Sequence, residues 1–179
     1  MEPEPIRVVQ GPDGPRVAAH NPDALRGSGC ATAVLLIFFL VLSTFFTGGG
    51  ISLVLAGEWA GLPFAVGSGY VQVGVALIVW ANRVVARSLD LGGTVTVRAV
   101  ARAYRVYHGV RAGCFVVLGA LAAIGLVIVF VGAADGKSPV VLGLMLLPAA
   151  LMAGLLLIVA GLTRALCRSY ERHYPVLTG

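Results

Sequence analysis

Four long stretches without a charged residue organise this chain. They lie between Arg26 and Glu58, Glu58 and Arg83, Arg111 and Asp135, and Lys137 and Arg164. Roughly 20 apolar residues of helix cross a hydrocarbon core of about 30 Å, and each stretch is long enough. Lipid cannot satisfy free backbone amides and carbonyls, so a spanning segment is either a helix or a strand of a closed barrel. Barrel strands alternate apolar and polar residues over short segments. Runs such as Val34-Leu35-Leu36-Ile37-Phe38-Phe39-Leu40 and Leu155-Leu156-Leu157-Ile158-Val159 do not alternate. The pattern predicts an all-α integral membrane protein with four transmembrane helices.

The spans are punctuated by a repeated phrase. Arg83 to Asp90 and Arg164 to Glu171 both read Arg, three residues, Arg-Ser, one residue, acid. Gly29-Cys30 opens the first span and Gly113-Cys114 the third, each shortly after an arginine. An acid in the outer connection and a proline opening the return helix (Pro63, Pro139) complete the parallel. These echoes read as two tandem-duplicated helical hairpins, related by an axis along the membrane normal.

Composition changes the picture only in its charges. Hydrophobic residues make up 58% of the 179, charged residues 12%, and mean hydropathy is +0.92. Soluble domains carry about 25% charged residues, so that class is excluded. The net charge of +5 comes from twelve arginines and one lysine against eight acids. Every arginine lies before span one, between spans two and three, or after span four, while the other two connections hold Glu58, Asp135 and Lys137. This asymmetry predicts a plasma-membrane, multi-pass topology with both termini cytoplasmic. It marks span ends, so it does not imply a nucleic-acid partner. Arginine over lysine, with abundant Ala, Gly and Val, hints at GC-rich coding and a bacterial cell membrane.

Three domains follow. Residues 1–28, holding five of nine prolines, read as a disordered cytoplasmic tail. Residues 29–163 form the transmembrane domain, with a basic loop at 83–111. Residues 164–179 form a C-terminal tail. Gly48-Gly49-Gly50 is expected to bend or end the first helix, since glycine costs about 1 kcal/mol in a helix interior. Within the loop, Gly92-Gly93 breaks the chain and Thr94 or Thr96 can cap a helix. At about 100° per residue, Arg98, Arg102 and Arg105 fall on one face and Val97, Val100, Tyr104 and Tyr107 opposite. Two placements fit this segment. It lies in the membrane interface, with arginines on anionic headgroups and Tyr104 and Tyr107 as anchors, or it extends span three.

Candidate chemistry is sparse. Ser68 and Gln72 share one face of span two and are candidates for intramembrane polar contacts with another helix. No ionisable residue lies deep in a span, which argues against a proton-coupled small transporter. An intramembrane protease would need a nucleophile and base at membrane depth, and His20, His108 and His173 all fall outside the spans. Cys30, Cys114 and Cys167 lack metal-ligand spacing. We therefore expect no catalytic, cofactor or metal site. The reading is a non-enzymatic multi-pass membrane protein, an accessory or assembly component working through helix packing and a basic cytoplasmic face. Its expected partners are the lipid bilayer with anionic headgroups and a larger membrane complex or homo-oligomer. The alternative is a small channel or transporter subunit active as an oligomer.

Overall fold

The computed structural model describes residues 8–178, apart from the side chains of residues 24, 26–37, 60, 176 and 178. Strands β1 (Val9–Gly11) and β2 (Gly14–Ala18) lead into helix α1 (Pro22–Leu55). A short turn, Trp59–Gly61, joins it to α2 (Leu62–Arg87). Strand β3 (Thr94–Thr96) precedes α3 (Val97–Ala134), and α4 (Pro139–His173) is followed by the single turn α5 (Pro175–Thr178). Helices α1 to α4 are all long and apolar enough to cross a membrane. The protein is thus a four-helix, multi-pass membrane protein. Helix α2 is central, packing on α1, α3 and α4, while α3 and α4 pair as an antiparallel hairpin.

Regular structure runs past the expected limits of the spans at three places. The described part of the expected tail, from residue 8 on, is ordered: β1 and β2 form a hairpin, and β2 pairs with β3 to make a three-stranded antiparallel sheet. Residues 1–7 lie outside the described residues. Pro12 and Asp13 occupy the centre of the hairpin turn, closed by Gly14 at φ +108°. The basic loop at 83–111 shrinks to residues 88–96, because α2 runs to Arg87 and α3 begins at Val97. The C-terminal tail is also largely helical, since α4 continues to His173.

The cause is tertiary. The apolar stripe of the loop finds protein partners: Val100, Ala103 and Tyr107 bury against Ala81 and Val85 of α2, Cys167 of α4, and Val17 and Val95 of the sheet. Thr96 caps α3 through its hydroxyl, which accepts from the Ala99 amide. At 38 residues, α3 is about 57 Å long, almost twice the hydrocarbon thickness. Residues 97–111 therefore extend the bundle rather than lie flat beside it.

The glycine triplet does not break α1 either. Gly50 is buried where α1 meets the start of α2, and a Cβ there would fall against the Ala65 amide and the Gly61 carbonyl. Its missing side chain lets two backbones touch, the usual role of small residues between membrane helices. At membrane depth a second cluster gathers Val71, Val110, Cys114, Leu121, Met152, Leu156 and Val159. Cys114 and Cys167 thus sit in separate clusters, and the Cys30 side chain lies outside the described residues.

Candidate functional site at the arginine-rich end of the bundle

The sheet, the last turns of α2 and α4, and the first turns of α3 converge at one end. Arg16 fastens the assembly. It is 7% exposed, and its Nε donates to Thr94 Oγ1 at 2.9 Å and faces Asp90 Oδ2 at 3.2 Å. Its Nη2 donates to the Ser88 carbonyl at 2.6 Å and the Thr94 carbonyl at 3.2 Å. One guanidinium thus ties β2 to the end of α2 and to β3. Asp90 also accepts from the Thr94 hydroxyl and amide, at 2.6 and 2.7 Å. These bonds, with Arg16 beside them, hold its carboxyl below the usual range.

Beneath the sheet lies an aromatic layer. Tyr107 is fully buried and donates to Asn82 Oδ1 at 2.5 Å. Its ring meets Tyr170 edge-on at 5.4 Å, and Tyr170 packs on Tyr174. The Tyr174 hydroxyl accepts from the His20 amide and donates to the Ala18 carbonyl, both at 3.2 Å. His20 stacks on His173 with ring centroids 3.2 Å apart. Burial first, and the neighbouring His173 second, lower the His20 pKa. His173 Nδ1 donates to the Ser169 carbonyl at 2.6 Å. A cavity of about 300 Å³ opens among His20, Asn82, Ser169, Tyr170 and His173.

The residues singled out from sequence divide into three groups. Arg98, Arg102 and Arg105 are exposed along the outer face of α3; among the described residues none of them makes an ion pair or side-chain hydrogen bond. Tyr104 is half-buried and donates to Glu171 at 2.9 Å, so it links α3 to α4. Tyr107 is the clear correction. Its ring and hydroxyl are consumed inside the protein, so it is no lipid or partner anchor. A tyrosine opposite arginines suits a membrane interface, but the same pattern suits a helix packed on two others.

Ser68 and Gln72 meet α1. Ser68 Oγ and Thr47 Oγ1 lie 2.7 Å apart, and Gln72 Nε2 donates to Thr44 Oγ1 at 3.1 Å. Tyr70, between them in sequence, reaches α3 instead and donates to the Val110 carbonyl at 2.8 Å. A Cβ on Gly113 would collide with its ring. The residues that sequence reasoning passed over are Arg16, Asn82, His20 and His173. For Arg16 a signal existed in Asp13-Gly14, a hairpin dipeptide between short β-prone runs. For the two histidines there was none. No family model, curated protein or solved structure matches the chain.

Proposed function

We propose that this is a non-enzymatic accessory or assembly component of a plasma membrane, with both termini cytoplasmic, acting through helix contacts and a basic face. The observation that carries this reading is the row Arg98, Arg102 and Arg105, exposed at helical spacing and unneutralised by any described acid. Glu171, the acid nearest in the chain to the end of α4, is engaged by Tyr104. Because residues 97–111 extend the bundle, an acidic surface of a larger complex fits the row, with anionic headgroups nearest Arg105. Each arginine near an anionic surface contributes about 1 kcal/mol, screened over a Debye length. Replacing all three with Gln should weaken co-purification of the complex, or retention of phosphatidylglycerol in native mass spectrometry, with a marked salt dependence. Binding that is identical to wild type at every salt concentration would refute the docking role. Thiol labelling at Ser138→Cys from outside, and at Thr178→Cys only after permeabilisation, tests the orientation.

A homo-oligomeric channel or transporter subunit is the second reading. It draws on the polar edge of α1 and α2, where Thr44 is exposed and Gln72 half-buried on a surface otherwise facing lipid. A stable oligomer dispersed by Gln72→Leu would favour it. The tandem origin of the two hairpins rests on the repeated Arg-Ser phrases, with Arg87 and Arg168 as equivalent exposed positions near the ends of α2 and α4.

A further inference from the structure

A cleft of about 610 Å³ opens between the β-hairpin and the junction of α2 with α3. Arg16 floors it, Arg87 comes from the last turn of α2, and Arg98 and Arg102 come from the first two turns of α3. Val84 and Ala99 supply apolar wall. We propose that this cleft is a binding site for a phosphate or pyrophosphate group carried by a small molecule. Arg87, Arg98 and Arg102 are its recognition residues.

Three considerations support this. The first is charge. The two acids lining the cleft are Asp90 and Asp13. Asp90 is already committed to Thr94 and Arg16, and Asp13 stands 77% exposed at the rim, 3.7 Å from Arg16 Nη1. Three guanidinium groups are left facing one space, with no described acid paired to them. The second is chemistry. A guanidinium offers planar, paired donors matched to phosphate oxygens, and several around one cavity suit a group with three or more acceptor oxygens. The third is form. Such a volume admits a phosphorylated small molecule, with its apolar part on Val84 and Ala99. Arg98 and Arg102 are one turn apart on α3, and Arg16 ties β3, which runs directly into α3, to the end of α2 through Thr94 and Ser88, so the three side chains start from a fixed frame. Arg98 lies about 20 Å along α3 from Arg111, which places the cleft toward water and favours a soluble ligand over a lipid headgroup.

The cleft uses two arginines of the basic face but does not depend on its docking role. Arg105 belongs to that face and does not line the cleft, and Arg87 lines the cleft without belonging to the face. The full chain in phosphatidylcholine nanodiscs should bind inorganic pyrophosphate saturably at physiological salt. Arg87→Gln should weaken that binding about tenfold, the loss of one charge-assisted contact, and Arg98→Gln with Arg102→Gln, which removes two, should weaken it by more. Arg102→Lys should fall between, and Arg105→Gln should leave it unchanged. All four positions are exposed, and unchanged melting of each variant confirms that folding is intact. Adding phosphatidic acid to the nanodiscs separates the sources. Competition with pyrophosphate assigns the site to a lipid phosphate, and its absence assigns it to a soluble one. Non-saturable binding, or equal loss in Arg105→Gln and Arg87→Gln, would reduce the site to a diffuse basic field and overturn the proposal.

Discussion

At the arginine-rich end, three strands, the ends of three long helices and the C-terminal turn close around Tyr107. The opposite end consists of two helical hairpin turns whose backbone hydrogen bonds, among the described residues, stay within each turn. There the Gly57 amide donates to Val54 and Lys137 to Gly132, both across one turn of backbone. Large apolar side chains stand open at that end, among them Leu55 at 83% and Phe130 at 73% exposure. In a bilayer these meet lipid, which is as apolar as they are, so little is gained by burying them in protein. At the arginine-rich end the same apolar surface would meet water or headgroups, and apart from Val8, Val9 and Leu91 the apolar side chains around Tyr107 are packed against protein. The difference separates what holds each end: close backbone approach at Gly50 beside the Thr47–Ser68 contact at one, an extended side-chain network and hydrophobic burial at the other.

Opening the tight end should have the largest effect. Gly50→Leu forces a side chain against the backbone of Gly61 and Ala65, which cannot rotate away. Overpacking costs about 1–3 kcal/mol where side chains can adjust, and here the cost should reach about 3 kcal/mol or more. Thermal melting in mild detergent should show a strongly lowered transition, with the pairing of α1 on α2 lost first. A melting point equal to wild type would mean that the two backbones are not in contact.

Arg16→Ala probes the other end and should cost less, about 2 kcal/mol, from charge-assisted bonds to Thr94 and Ser88. The loss should be local. Amides of β2 and β3 should exchange faster while those of α3 beyond Cys114 stay protected, because the buried residues of the two clusters are distinct and the clusters meet through Ile78 and Val106. Uniform loss of protection along the chain would show that the two ends unfold as one unit.

The spans were legible because an uncharged apolar stretch of this length has one physical solution in lipid. Helix ends were not, since their limits depend on partners that sequence does not name. Val100 and Tyr107 read equally well as a membrane-facing stripe and as a packed one, and only the presence of Ala81, Val85 and Cys167 beside them decides. Arg16 reads as one more charge before a span until β3 supplies Thr94. Gly50 reads as a helix breaker because propensity was weighed in isolation, whereas close helix approach rewards the absence of a side chain. His20 and His173 come from opposite ends of the chain, and nothing local predicts that their rings stack.

That histidine stack leads to the smallest and most selective effect. The folded-state pKa of His20 is lowered, chiefly by burial and then by His173. Its neutral form is therefore favoured in the folded protein, while the unfolded chain takes up its proton near the ordinary histidine value of 6.5. The stabilisation is present above that value and is lost as pH falls through 6.5 toward the depressed folded value, because the opened state binds more protons. Asp90 also has a lowered pKa, but its contribution fades only below the carboxylate range, so the two groups act in separate windows. Moving from pH 7.5 to 5.5 should loosen the contact between His20 and Tyr174, read as faster exchange of the His20 amide after correction for the intrinsic pH dependence. The Thr94 amide, held by Asp90, should not respond over that interval. His20→Gln should flatten the response while leaving the sheet intact. A corrected pH response equal at His20 and Thr94, or one that survives His20→Gln, would show that protonation acts elsewhere and that the stacked rings are not the sensitive element of this end.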